Sequence, residues 1–161
     1  MKRQDRLTVP QTVAWTGKTN RKHFLRHLIE KNAYTTMAEV GVRDGRTTFY
    51  LLDNCPELTI YAIDLSATEF YSDDAKNKYG KRLIPIIGNS HDVYDQIPEV
   101  DIVFIDADHS YRGCKGDILA YQSKAKKLFC GHDIDYPGVN KAVNELIKSY
   151  DVGPNFVWIA K

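Results

Sequence analysis

The sequence predicts a doubly wound α/β fold, with a mostly parallel β-sheet and helices on both of its faces. Short, continuous apolar runs alternate along the chain with stretches of helical periodicity. Continuous apolar runs are typical of parallel strands that are covered on both faces. The runs are Met37 to Val42, Leu58 to Ile63, Leu83 to Ile87, Val100 to Ile105 and Leu128 to Cys130. Their alternation with helices implies right-handed crossovers and a Rossmann-like open sheet.

The helices are predicted from apolar residues spaced three and four apart, which form one stripe on a helix. A first helix contains Phe24 to Ile29 and begins after Thr19 or Asn20 as its N-cap. Two further stripes consist of Tyr111, Cys114, Ile118, Tyr121 and Ala125, and of Val139, Ala142, Val143, Leu146, Ile147 and Tyr150.

The end of the chain is predicted to close the sheet with a hairpin. Tyr150 to Val152 and Phe156 to Ala160 flank Gly153-Pro154-Asn155, a combination that is typical of turns. We expect this hairpin to add one antiparallel strand at the edge of the sheet.

Length and composition indicate a single domain over residues 17–161, preceded by an N-terminal arm over residues 1–16. The 161 residues carry a formal net charge of +1, so we expect no general attraction to nucleic acids or membranes. Two basic runs, Lys76 to Arg82 and Lys124 to Lys127, are predicted to be solvated helix faces. No apolar run resembles a signal peptide or a membrane span, and the three cysteines form no CxxC pair. A cytoplasmic protein is therefore expected.

Polar residues follow the fourth and fifth predicted strands, where each strand ends. Asp106, Asp108 and His109 come after Val100 to Ile105, and His132, Asp133 and Asp135 come after Leu128 to Cys130. The carboxyl ends of parallel strands meet at one edge of an open sheet, which is where such folds bind ligands. Charges placed there are costly unless they are solvated, paired or bound to a metal. These two strand ends are therefore the predicted reactive site.

The first predicted strand ends in a glycine turn, and the second ends in a carboxylate. Glu39 precedes Gly41 and Gly45, which let the backbone approach a ligand at the start of a helix. The spacing differs from the GxGxxG of dinucleotide-binding proteins, and an acidic residue at this position suits a cationic ligand. The Asp64 carboxylate can accept hydrogen bonds from both hydroxyls of a ribose. Asn89 and Ser90 follow the third strand, where they either contact an adenine or cap the next helix.

These motifs resemble those of the class I methyltransferases that use S-adenosylmethionine. The similarity begins at about residue 34, and the sequences FIDADHSYRGCKGDI, GHD and PGVNKAVNEL are similar to the small-molecule O-methyltransferases that include macrocin-type enzymes. The resemblance implies that Glu39 and Gly41 surround the methionine moiety and that Asp64 binds the ribose. The other residues expected to contact the cofactor are Val42, Gly45, Thr47, Leu65, Asn89, Ser90 and Asp106.

The resemblance also implies a metal site formed by Asp106, His132 and Asp133, with His109 as the catalytic base. Macrocin-type members carry an acidic residue at the position of His132, so the chain departs from the pattern there. A cation held by Asp106 and Asp133 would lower the pKa of an acceptor hydroxyl, and an imidazole can take its proton near neutral pH. The expected metal is Mg²⁺ or Mn²⁺. The function expected is metal-assisted O-methylation of a small hydroxylated acceptor.

Structural explanations compete with several of these roles. Asp108 and His109 precede a helix that Ser110 can cap, and His132 and Asp135 can serve a backbone carbonyl and a turn. Trp15 covers the ligand or packs against the protein. The competing functions are a non-catalytic S-adenosylmethionine-binding domain and a nicotinamide-dependent oxidoreductase. A homodimer is also expected, because the chain has little material with which to cover an acceptor.

Overall fold

The structure, a computed structural model, describes residues 6–161 and contains one seven-stranded sheet. The first five residues of the predicted N-terminal arm lie outside the described residues. The strands are β1 (Thr36–Val40), β2 (Thr59–Asp64), β3 (Leu83–Ile87), β4 (Val100–Ile105), β5 (Ala125–Gly131), β6 (Tyr150–Val152) and β7 (Trp158–Ala160). The α-helices are α1 (Arg21–Asn32), α2 (Arg46–Asn54), α3 (Asp73–Tyr79), α4 (Ser90–Val93), α5 (Tyr111–Tyr121) and α6 (Pro137–Leu146).

The strand order is β3-β2-β1-β4-β5-β7-β6, and the first five strands in sequence are parallel. The strand order reverses between β1 and β4, because β2 and β3 extend the sheet on one side of β1, and β4 and β5 extend it on the other. The carboxyl ends of β1 and β4 therefore border the crevice in which open α/β sheets bind ligands. The predicted doubly wound sheet is confirmed. One detail of the prediction was wrong: the antiparallel strand β7 lies between β5 and β6, and β6 forms the edge.

Alternate strand residues face opposite sides of the sheet, and each side has its own apolar core. Ala38 and Val103 pack with α4, α5 and α6, whereas their neighbours Met37 and Ile102 pack with α1, α2 and α3. All four of these residues are fully buried. The continuous apolar runs are therefore required by helices on both faces. Among the described residues, no helix combines the length and the apolar composition needed to cross a bilayer.

Several predicted boundaries differ from those in the structure. Helix α5 ends at Tyr121, and a 3₁₀ turn leads into β5 at Ala125, so Ala125 is a strand residue. Lys124 to Lys127 therefore lie on this turn and strand rather than on a helix face. Helix α6 likewise ends at Leu146, and Tyr150 begins β6. The N-cap of α1 is Asn20, whose side chain accepts a hydrogen bond from the backbone N–H of Lys22.

The N-terminal arm, from residue 6 to the start of α1, has no helix or strand but is attached to the domain. The backbone N–H groups of Thr12 and Val13 donate to the carbonyl of Val152 in β6. Trp15 packs edge-on against Phe24 of α1, with ring centroids 5.1 Å apart. Trp15 does not line the main cleft, so of its two predicted roles the packing role is the one observed.

Candidate active site

A cleft of about 810 Å³ opens at the carboxyl ends of the parallel strands. The residues predicted to contact a cofactor line it together: Glu39, Gly41, Val42, Thr47, Asp64, Leu65, Asn89, Ser90 and Asp106. Gly45 is the exception. Its φ of +76° starts helix α2, and a Cβ there would lie 2.7 Å from the Phe49 ring. Gly45 therefore shapes the turn, and its neighbours form the cleft wall.

The glycine turn is held tightly against the ends of β2 and β4. Gly41 has a φ of +90°, and a Cβ on it would lie 2.3 Å from the backbone oxygen of Asp106. The Oδ2 atom of Asp64 accepts hydrogen bonds from the backbone N–H groups of Val42 (2.8 Å) and Arg43 (2.7 Å). Asp64 thus positions the turn with one oxygen, while the residue also lines the cleft where the ribose is predicted to bind.

Glu39 is a buried acid at the floor of the cleft. Its exposed fraction is 2%, and the Thr48 hydroxyl of α2 donates a hydrogen bond to it at 2.5 Å. Burial raises the pKa of Glu39 to about 8, although the Thr48 hydrogen bond acts in the opposite direction. In the free protein this carboxyl is therefore mostly protonated at neutral pH. A cationic ligand beside it would favour the ionised form.

The pKa of Glu39 predicts a pH-dependent stability. The carboxyl ionises near its ordinary pKa of 4.5 in the unfolded chain but near 8 in the folded protein. Its contribution to the free energy of unfolding is therefore full below about pH 4.5 and is lost as the pH rises through about 8. Between about pH 5 and pH 9 the unmodified protein should lose a few kcal/mol of its free energy of unfolding, as this pKa shift implies. Glu39→Gln should remove that loss.

Urea denaturation of both proteins at each pH measures this difference. The matched control is Glu57→Gln, which changes an exposed glutamate and should leave the pH profile as it is in the unmodified protein. Superimposable profiles for Glu39→Gln and the unmodified protein would show that Glu39 ionises normally.

Carboxylates and imidazoles from the ends of β4 and β5 meet at one side of the cleft. Asp106, His109 and Asp133 each offer a donor atom, and these three atoms all lie within 4.8 Å of one another. We call these three residues the donor cluster. The shortest contact joins His109 Nε2 to Asp133 Oδ2, at 2.9 Å. Parallel β4 and β5 bring the two carboxylates together, as the sequence predicts.

His132 lies on the buried side of the donor cluster. Its Nδ1 atom is 3.1 Å from Asp133 Oδ2 and 3.4 Å from Asp106 Oδ1. Among the described residues its Nε2 atom is buried without a hydrogen-bond partner. The predicted metal set of Asp106, His132 and Asp133 is therefore brought together, and His109 joins the same two carboxylates. Both histidines line the cleft, but the side chain of His109 is 38% exposed and that of His132 only 9%.

The contacts within this group shift its pKa values. The Asp133 hydrogen bond raises the pKa of His109 above its usual range. Burial alone would lower the pKa of His132, but hydrogen bonds to Asp106 and Asp133 raise it to about 9. Burial would raise the pKa of Asp133, whereas the two histidines hold it well below its usual range. Asp133 is therefore an anion between two imidazoles.

Asp108 has a local structural role. It accepts hydrogen bonds from the backbone N–H and the hydroxyl of Ser110, at 2.9 and 2.8 Å, and these bonds lower its pKa. Ser110 in turn caps α5 by accepting from the N–H of Gly113. Asp108 thus fixes the turn that carries His109 into the cleft.

The residues after β3 divide between capping and contact with α5. Asn89 caps α4 by accepting from the N–H of His91. Ser90 instead donates to the buried carboxylate of Asp117, at 2.5 Å, and His91 Nε2 lies 3.2 Å from the same oxygen. Asp117 and His91 both line the cleft. Asp117 lies within the FIDADHSYRGCKGDI motif but was given no role there, and His91 belongs to none of the motifs named above.

Two arginines that no sequence motif indicated also line the cleft, on the side of the donor cluster. Arg21, at the start of α1, places Nε 3.1 Å from Asp106 Oδ2. Arg6, in the N-terminal arm, contacts Asp135 at 2.8 Å and approaches Asp133 at 3.6 Å. Asp135 is buried, and Arg6 neutralises it. Both arginines are far from these acids in sequence, and no spacing rule predicts such contacts.

Comparisons with known proteins agree with this architecture. Residues 38–133 match the family model described as "Methyltransferase domain", which is more than half of the chain. The comparison with curated proteins finds no match.

Among solved structures, a putative caffeoyl-CoA O-methyltransferase from Staphylococcus aureus is similar with a TM-score of 0.71 at 16% identity, covering 92% of this chain and 86% of that one. An O-methyltransferase from Bacillus cereus, solved with SAH, gives 0.66 at 16% identity, with coverage of 92% and 84%. MycE, a methyltransferase of the mycinamycin biosynthetic pathway solved with Mg and SAH, gives 0.60 at 15% identity, with coverage of 86% and 48%. The chain belongs to the methyltransferase-domain family, and its fold is that of the class I S-adenosylmethionine-dependent methyltransferases.

Proposed function

We propose that this protein transfers the methyl group of S-adenosylmethionine to a hydroxyl oxygen of a small acceptor, with a divalent metal bound at the donor cluster. The observation that carries the proposal is the position of this cluster at the edge of the cleft that holds the glycine turn. In the reaction, the bond from sulfur to the methyl carbon breaks with its electron pair remaining on sulfur, a bond from that carbon to oxygen forms, and the hydroxyl proton passes to solvent water. The O-methyltransferase and Mg-bound structures named above support this chemistry by analogy.

The cleft offers suitable groups for each part of S-adenosylmethionine, the methyl donor. Buried Glu39 suits the positive charge of the methionine moiety, and Asp64 suits the ribose hydroxyls. The Ser90–Asp117 pair lies beyond β3, where the adenine would bind. Because the sulfonium is already a good leaving group, the protein needs no covalent nucleophile. Its residues have to align the donor with the acceptor and favour loss of the proton.

The donor cluster fits a divalent cation. It combines two carboxylate oxygens with one imidazole nitrogen, and the 2.9 Å between His109 Nε2 and Asp133 Oδ2 is short enough for both atoms to bind one ion. A bound metal would supply a positive charge that lowers the pKa of the acceptor hydroxyl. The two carboxylates suit Mg²⁺, and an imidazole in the set also admits Mn²⁺.

We further propose His109, rather than His132, as the imidazole ligand. His109 Nε2 belongs to the donor cluster with oxygens of Asp106 and Asp133, and the side chain of His109 is 38% exposed, whereas that of His132 is 9% exposed. This position favours ligation by His109 over the base role that the family resemblance implies. His132 then acts as a buried support that fixes the orientation of both carboxylates.

Electron–nuclear double resonance of bound Mn²⁺ tests the ligand set without an acceptor. Protein labelled with ¹⁵N-histidine and loaded with S-adenosylhomocysteine should show a nitrogen coupling to Mn²⁺. We expect His132→Gln to keep this coupling and His109→Gln to lose it. The reverse pattern would assign the ligand to His132, as the family resemblance implies, and absence of a Mn²⁺ signal in the unmodified protein would contradict the metal site.

A further inference from the structure

We infer that the acceptor carries a carboxylate and that Arg6 of the N-terminal arm binds it. This inference rests on the proposed function, because it names the acceptor class for the same cleft. Arg6 lines the cleft beside the donor cluster and keeps 46% of its side chain exposed. Its charge is paired with Asp135, but the exposed edge of its guanidinium remains open to a ligand.

The guanidinium of Arg6 is held in place from two sides. Its carbon lies 4.1 Å from the centroid of the Tyr136 ring, and Nη2 donates to the Tyr136 hydroxyl at 2.7 Å. On the other side, Nη1 donates to the buried Asp135 at 2.8 Å, and the next residue, Leu7, donates its backbone N–H to the Asp135 carbonyl. A guanidinium fixed in this way loses little conformational entropy when it binds a ligand.

Arg6 is close enough to the donor cluster for one small molecule to contact both. Nη1 lies 3.6 Å from Asp133 Oδ1, and the Tyr136 ring beneath Arg6 is 4.5 Å from the His109 ring. An acceptor whose hydroxyl reaches the donor cluster therefore places its adjoining atoms beside Arg6. The residue is positioned to select among acceptors by the group that adjoins the hydroxyl.

The charges in this region favour a carboxylate as that group. Arginine binds carboxylates and phosphates through parallel charge-assisted hydrogen bonds, which a neutral acceptor cannot form. Asp133 and Asp135 lie beside Arg6, and Asp106 lies in the donor cluster with Asp133, so the second negative charge of a phosphate would meet additional repulsion. A singly charged hydroxy acid uses the cation and meets less of this repulsion. The Arg6 site therefore suits small hydroxylated carboxylic acids.

Calorimetry on the S-adenosylhomocysteine-loaded protein, with Mn²⁺ present, tests this inference. The probes are a panel of mono- and dihydroxybenzoic acids, each compared with its own benzamide, which keeps the hydroxyls but not the charge. We expect at least one acid to bind about tenfold or more tightly than its amide, the range of a charge-assisted hydrogen bond. Arg6→Met should remove the preference, and Arg6→Lys should retain only part of it.

The matched control is Arg26→Met, which removes an arginine that pairs with Glu30 on α1 and does not line the cleft. This variant should keep the preference for acids. Arg6→Lys also keeps the charge beside Asp135, so it remains informative if Arg6→Met is destabilised. Equal binding of acids and amides, no binding of any acid, or a preference that survives in Arg6→Met would overturn the inference. Failure of the unmodified protein to bind S-adenosylhomocysteine would instead contradict the proposed function.

Discussion

Asp133→Asn is expected to lower kcat for methyl transfer at least about 100-fold, with little change in S-adenosylhomocysteine affinity. The Asp133 carboxylate contacts both His109 and His132 and belongs to the donor cluster. An amide keeps the shape but removes the negative charge that would hold a cation. Asp133 has a φ of +56°, a conformation that asparagine also tolerates, so the substitution should preserve the backbone.

Two variants separate this effect from other causes. Asp101→Asn weakens contacts to Thr35 and Thr36 at the opposite end of the sheet, so it should lower stability without affecting the reaction. Asp64→Asn should weaken S-adenosylhomocysteine binding, because Asp64 positions the glycine turn. The metal hypothesis fails if Asp133→Asn retains normal turnover, and Asp133 is structural if turnover falls only in proportion to stability.

Gly41→Ala is expected to destabilise the protein by about 2–5 kcal/mol and to abolish measurable S-adenosylhomocysteine binding. The new methyl group would require a strained φ and would overlap the backbone of Asp106 and Ala107. The clash is with backbone atoms, so no side chain can rotate away to relieve it. Relief requires β1 and β4 to separate at the ends that form the cleft.

Gly80→Ala is the matched control for Gly41→Ala. Gly80 also has a positive φ, of +53°, but a Cβ on it would meet no atom within 4 Å. This variant should cost about 1–3 kcal/mol, the penalty of the conformation alone, and should leave binding unchanged. Urea denaturation and calorimetry on both variants measure the two effects. Equal destabilisation would show that the close approach of Gly41 to Asp106 contributes nothing.

The parallel sheet could be predicted because each strand is buried on both faces, which leaves a continuous apolar run in the sequence. The errors occurred where two periodicities overlap. Ala125 and Tyr150 continue the stripes of α5 and α6 in spacing, but a 3₁₀ turn follows α5 and a short loop follows α6. The inner position of β7 was also not predicted, because strand order depends on pairing between distant segments.

The candidate site was predictable to the extent that its residues follow strands directly. Asp106 and Asp133 qualify, and the parallel pairing of β4 with β5 brings them together. Arg6 and Arg21 were missed because each reaches an acid that is distant along the chain. Which of His109 and His132 is the more exposed in the cleft depends on side-chain rotamers, and motif spacing carries no information about those.

The most direct measurement is transfer of a labelled methyl group from S-adenosylmethionine to the hydroxybenzoic acid panel and to small-molecule extracts, before and after removal of metal. We expect a methyl ether as product, with transfer lost on chelation and restored by Mg²⁺ or Mn²⁺. Transfer that is insensitive to chelation, methylation at nitrogen or carbon, or no transfer to any acceptor would contradict metal-assisted O-methylation.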